Sequence, residues 1–150
     1  MTHPFPHRYE ADLIWRADLH GEVSGSAKAP FITGPPPEFG GRPEWWSPEH
    51  LLLSAANACL MTTYLALAGR EQIPVLGYRS RAEGVLDKTK GGIVFTAITL
   101  RVEIGAPSGR VEQAERVIQT AKKYCIVANS LRIPVDLECS VTTGGLSPAR

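Results

Sequence analysis

At 150 residues, with sixteen basic against fifteen acidic side chains and a formal net charge of +1, the chain suits one packed domain from 1 to 150. So even a balance, with no basic block, argues against nucleic acid or an anionic membrane surface as partner. The start Met1-Thr2-His3-Pro4 lacks the basic and apolar stretches of a secretory signal, which points to the cytoplasm, where a lasting structural disulfide is not expected. The three cysteines, at positions 59, 125 and 139, have no close metal-ligand spacing, so no metal site is expected.

In chain order, Tyr9, Ala11, Leu13, Trp15, Ala17 and Leu19 alternate with mostly polar residues, the period of a half-buried strand. Glu22 to Thr33 adds one or two more. Gly34 to Pro43 is rich in glycine and proline and reads as a loop that delivers the chain to Trp45 and Trp46. Ser47 is a cap for the helix that follows, Pro48 suits its first position, and Glu49 favours its positive end. Leu51 to Gly69 carries no charge, but Ser54, Asn57, Thr62 and Thr63 interrupt it, so it reads as a buried soluble helix and not a membrane span. A helix apolar on nearly every side needs cover on nearly every side, which points to a partner subunit.

Tyr78 to Asp87 and Ile93 to Ile104 flank Lys88-Thr89-Lys90-Gly91-Gly92 and predict a long hairpin, with Val94, Ile98, Leu100, Val102 and Ile104 on one face. Ser108 is the expected cap of a second helix whose Val111, Ala114, Val117, Ile118 and Ala121 face the core. Cys125 follows on the same stripe. A last strand from Pro134 to Thr142 turns Val135, Leu137, Cys139 and Val141 to one face, which makes Cys139 core filler. The ordered core runs from about 9 to 142, residues 143–150 form a loose polar tail, and the order of elements is an α+β pattern.

A sulfur on an apolar face is by default a small hydrophobe, so neither Cys59 nor Cys125 alone implies chemistry. The surrounding residues do. Ser47-Pro48-Glu49-His50-Leu51-Leu52 with Ala55-Ala56-Asn57-Ala58-Cys59, and Ala121 to Leu131 around Cys125, resemble the two cysteine segments of the osmotically inducible protein C and organic hydroperoxide resistance (OsmC/Ohr) family. That resemblance implies an α+β fold in which antiparallel sheets wrap central buried helices of an intertwined homodimer. It also implies a stress-response peroxidase: Cys59 attacks a hydroperoxide and becomes a sulfenic acid, Cys125 condenses with it to a disulfide, and an external dithiol, lipoyl-type in the family, reduces the disulfide. No cofactor is needed for that cycle. Organic hydroperoxides are the implied substrate, with hydrogen peroxide behind them, and Trp45, Trp46, Leu60 and Tyr64 are candidates to line an apolar pocket for them. The resemblance places an active-site glutamate at Glu49 and an arginine upstream of it, for which Arg42 is the best placed and Arg16 the next. The chain departs from the family pattern at Trp46-Ser47, where a small or polar pair is usual, and at Ile126, where many members have proline.

The attacking species is a thiolate, and Cys59, three turns into its helix, lies away from the positive helix end, so a guanidinium oriented by a carboxylate is the natural stabiliser. On a straight helix Glu49 and Cys59 are displaced by about 15 Å. Either the helix breaks or two subunits share one site, and sharing is the expectation. Two other classes of function stay open: an OsmC-like thiol protein or apolar-ligand binder without peroxidase activity, and a plain interaction module with core cysteines.

Overall fold

The computed structural model describes residues 4–148. Residues 1–3 at the start of the segment read for a targeting signal, and residues 149–150 at the end of the expected tail, lie outside the described residues. By its contacts the chain divides into two compact units, Met1–Leu51 and Leu52–Arg150.

In the first unit, β1 (Asp12–Ala17), β2 (His20–Gly25) and β3 (Lys28–Thr33) form an antiparallel meander in the order β1-β2-β3. The turns between them hold Asp18 and Ala27 in the left-handed region, at φ 45° and 57°. Gly21 faces Ile14 so closely that a Cβ would lie 2.9 Å from the Ile14 carbonyl oxygen. The alternation read from Tyr9 to Leu19 is a shorter strand than expected, and its apolar residues are open: Leu13 is 66% and Trp15 72% exposed. A single three-stranded sheet has no second layer of its own with which to bury a face.

The loop that follows is folded back on the sheet. Pro37–Phe39 makes one 3-10 turn closed by Gly40 at φ 83°, and Gly41 sits where any Cβ would drive into the Pro35 carbonyl. The Thr33 hydroxyl and the Gly34 amide both donate to the Trp46 carbonyl, at 2.7 and 3.3 Å. These bonds set Trp45 and Trp46 beside the sheet. Helix α1 (Pro48–Arg70) then begins as the sequence predicts, with the buried Ser47 hydroxyl accepting from the His50 amide at 3.3 Å. The helix is continuous for 23 residues.

The second unit is built on the sheet β4-β5-β6, of β4 (Gly77–Thr89), β5 (Gly92–Ala106) and β6 (Val135–Thr143). The β4–β5 hairpin is antiparallel, and β6 lies parallel to β5 after a crossover through α2 (Val111–Tyr124) and the short α3 (Ile126–Asn129). Ile98, Leu100, Val102 and Ile104 alternate inward from β5 as expected, but Val94 does not. Val85 pairs Ala97 while Leu86 pairs Phe95, so Thr96 is an extra residue in β5. That bulge flips the phase of the strand, leaving Val94 exposed and turning Phe95 inward. The cap of α2 is also displaced. Gly109, at φ 78°, turns the chain after Ser108, and Arg110 becomes the last residue before the helix.

Against this sheet pack Ala56, Leu60, Tyr64 and Ala68, one stripe at fourfold spacing along α1, together with Val117, Ile118, Ala121 and Cys125. Each large apolar side chain wholly enclosed there contributes roughly 1.5–3 kcal/mol. Among these, Leu60, Tyr64, Ile98, Leu100 and Ile104 are 0% exposed. By length and composition α1 also meets the measure of a membrane-crossing helix, and most of its apolar stretch is not enclosed. Of the expected tail, residues 144–148 are held to this unit: the Gly144 amide donates to the Ala106 carbonyl at 2.8 Å and Arg79 donates to the Ser147 carbonyl at 3.0 Å.

Candidate active site

The two cysteines singled out from the sequence lie together in the second unit. Cys59 sits in the interior of α1, half-buried against the core, where its carbonyl oxygen accepts from the Thr62 and Thr63 hydroxyls at 3.1 and 2.8 Å. Cys125 ends α2, is completely buried, and directs its thiol toward the Ala56 carbonyl, one turn before Cys59, at 3.9 Å. Burial pushes the Cys125 thiol up, and the neighbouring Cys59 sulfur adds to this, while the Ala128 amide and Lys122 act the other way. A buried thiol held in its protonated form is a poor first attacker on peroxide and a well-placed second thiol. The chain reaches this arrangement because the stripe that buries α2 runs one turn further, through Ala121 to Cys125, and meets the Ala56–Leu60 stripe of α1.

Cys139 belongs to the same unit and packs against the same core. It lies on β6 opposite Val102, partly buried, with Gln119 Nε2 3.5 Å from its sulfur. Leu60 and Tyr64, expected as pocket residues, are fully buried core side chains. The Tyr64 ring lies 5.7 Å from that of Tyr78. Burial raises the hydroxyls of both tyrosines, that of Tyr78 to about 12.

The remaining expected residues lie in the first unit. Glu49 lines an open cavity of about 470 Å³ whose walls are Leu13, Trp15, Leu19, Pro35, Pro36 and Phe39. Its Oε2 is enclosed and has no hydrogen-bond partner among the described residues. His20, at the start of β2, lines the same cavity, and its Nδ1 is likewise enclosed and unpartnered among the described residues. Trp45 backs the imidazole, with ring centroids 5.0 Å apart, and Arg42 lies over the other ring system at 5.4 Å while reaching Glu44 at 3.9 Å. Arg42 is thus drawn into a stack on Trp45, its side chain 64% exposed. Arg16 is paired with Glu22 across the β1–β2 ladder at 2.7 Å. Trp46 is half exposed, its ring edge-on to His50 at 6.4 Å.

His20 is the residue that sequence reasoning passed over. A lone histidine beside a turn carries no periodic signal, and its enclosure depends on the Gly34–Pro43 loop folding back, which no local pattern encodes.

A family model described as OsmC-like protein matches residues 41–140. Peroxiredoxin OsmC of Escherichia coli (strain K12) is 26% identical over 128 residues, spanning 83% of this chain and 90% of its own. Among solved structures, an OsmC-like protein of unknown function from Vibrio cholerae superposes with a TM-score of 0.81 at 20% identity, over 89% of this chain and 99% of that one. An organic hydroperoxide resistance protein OsmC from Legionella pneumophila superposes with a TM-score of 0.70 at 22% identity, over 91% of this chain and 99% of that one. Likenesses at that identity establish the α+β fold.

Proposed function

This chain belongs to the OsmC-like protein family, and from that premise we propose that it is a cysteine-based peroxidase that reduces organic hydroperoxides. The observation that carries the reading is the meeting of two thiols 66 positions apart in sequence, one half-buried and one wholly enclosed beside it. The name of the peroxiredoxin relative supports the same activity.

The cycle follows from the difference between the thiols. Cys59, as thiolate, attacks the terminal peroxide oxygen; the O–O bond breaks, Cys59 becomes a sulfenic acid, and the alkoxide leaves as an alcohol after taking a proton. Cys125 then attacks the Cys59 sulfur, an S–S bond forms, and the sulfenic oxygen departs with the Cys125 proton and one more as water. A small external dithiol, lipoyl-type in chemistry, returns both cysteines to thiols and is itself oxidised to a disulfide. Holding Cys125 protonated until the sulfenic acid has formed keeps the two thiols from competing for peroxide.

In this reading Glu49 and Arg42 of one subunit serve Cys59 and Cys125 of the other, in a cytoplasmic homodimer. Two features support it. Helix α1 is unbroken, so within it Glu49 and Cys59 are about 15 Å apart along the axis. Large apolar side chains also remain open, among them Leu65 at 41%, Tyr124 at 65% and Ile126 at 74% exposed. The test of the activity is direct consumption of cumene hydroperoxide with a lipoyl dithiol as reductant. Turnover in the parent chain that is lost in Cys59→Ser supports the reading; turnover that survives that substitution refutes it.

A further inference from the structure

We propose that, once the two thiols are joined, the reductant attacks the sulfur of Cys59 and not that of Cys125, so that the mixed disulfide forms on Cys59 and Cys125 is the group that departs. The inference rests on the redox pair of the proposed function and assigns the direction of its reductive half. Two observations carry it. Cys125 is 0% exposed, enclosed in the core with Val117, Ile118 and Ala121 of its own helix and with Ala56 and Leu60 of α1. Cys59 is only half-buried, and Ala55 and Thr62, its neighbours at helical spacing, are both exposed.

Exchange at a disulfide needs the entering thiolate, the sulfur attacked and the departing sulfur close to one line. For attack on Cys125 the entering sulfur would have to stand on the side of Cys125 remote from Cys59. Because no part of Cys125 is open, core side chains already fill that place, and a second subunit can only add cover. For attack on Cys59 the entering sulfur comes from outside the core, and Cys125 departs into the position it already holds, 3.9 Å from the Ala56 carbonyl. The electronic preference runs the other way, since burial raises the Cys125 thiol and so makes it the slower leaving group. That preference changes a rate by a factor, whereas enclosure withholds the sulfur from the reagent altogether, so access decides. One thiolate of the dithiol bonds to the Cys59 sulfur, the Cys59–Cys125 bond breaks, and Cys125 takes a proton. The second thiolate then attacks the reductant's own sulfur in the mixed disulfide, which closes the reductant's disulfide and releases Cys59 as the thiolate that the next peroxide meets.

The test uses the full chain with Cys139→Ser, oxidised by diamide so that the pair is joined whatever its activity toward peroxides. Excess 2-mercaptoethanol is added, and samples taken through the course of reduction are quenched in acid, alkylated with N-ethylmaleimide, digested without reductant and read by mass spectrometry. The mixed disulfide is expected on Cys59, with Cys125 carrying the maleimide, in about tenfold excess or more over the reverse. A second measurement needs no trapped intermediate. In single-thiol chains that also carry Cys139→Ser, 2-hydroxyethyl disulfide should load Cys59 of the folded Cys125→Ser chain about tenfold faster than Cys125 of the folded Cys59→Ser chain, and denaturation should abolish the difference. The proposal is overturned if the mixed disulfide lies on Cys125 or evenly on both, if the single thiols load alike in the folded chains, or if diamide joins no Cys59–Cys125 pair. A chain that leaves cumene hydroperoxide unconsumed yet carries the probe on Cys59 keeps the direction of exchange and loses the peroxidase reading.

Discussion

Oxidation of the two neighbouring thiols should make the protein markedly more stable, by an amount that their positions set. A bond between Cys59 and Cys125 closes a loop of about 66 residues, which lowers the entropy of the unfolded chain by the equivalent of about 4 kcal/mol at 25 °C. Little should be lost on the native side, because Cys125 is already fixed in the core with its sulfur at Ala56, one turn from Cys59. With a urea dependence of about 2 kcal/mol per molar, typical for a small domain, the midpoint should rise by up to about 2 M. The assay is urea unfolding, at one fixed protein concentration, of chains treated with one equivalent of cumene hydroperoxide or with dithiothreitol. Cys125→Ser should show no such rise. A mapped Cys59–Cys125 disulfide with an unchanged or lowered midpoint would mean that the thiols have to leave their native places to join, contrary to their adjacency in the core.

Cys59→Ser should abolish peroxide consumption while Cys139→Ser leaves it nearly intact, since Cys139 lies on β6 as packing; a reversed result in a steady-state assay contradicts the assignment. Cys125→Ser should leave a sulfenic acid at Cys59 that a dimedone-type reagent traps and mass spectrometry locates. Stability should fall as pH rises: the unfolded thiol and phenol ionise from about pH 8.5 and 10, whereas burial keeps Cys125 and Tyr78 protonated in the fold, Tyr78 to about 12. Tyr78→Phe should flatten the part of that loss between pH 10 and 12, read from chemical unfolding at each pH. Mixing inactive Cys59→Ser chains with Arg42→Ala chains should restore part of the activity if subunits share a site; heterodimers that form without any rescue rule it out, and a fully active Arg42→Ala moves the role to Arg16.

Much of the second unit could be read from the sequence because its signals are periodic. The breaker cluster at Lys88–Gly92 and the alternation through Ile104 predict the hairpin, and the fourfold recurrence through Ala121 predicts the buried face of α2. Val94 and Ser108 fell outside because each depends on one local irregularity, the extra Thr96 in β5 and the left-handed Gly109. The site divides in the same way. Resemblance singled out Cys59 and Cys125, whereas the contact between them required the α1 and α2 stripes to meet. Glu49 is legible from its motif, but its cavity and the enclosure of His20 arise from a loop that returns over a sheet through two bonds to one carbonyl. The open faces of Leu13 and Trp15 are not legible in the sequence, because alternation records which residues share a face and says nothing of what covers it.

If Cys59 and Cys125 act as a redox pair on an organic hydroperoxide, the first turnover must oxidise both of them and no other cysteine. The decisive measurement adds one equivalent of cumene hydroperoxide to the fully reduced chain and follows it with non-reducing digestion and mass spectrometry. One equivalent of 2-phenylpropan-2-ol should appear together with a peptide pair joined through Cys59 and Cys125 of the same chain, with Cys139 still a thiol. Unconsumed peroxide, or oxidation that leaves Cys59 reduced, would contradict that pairing.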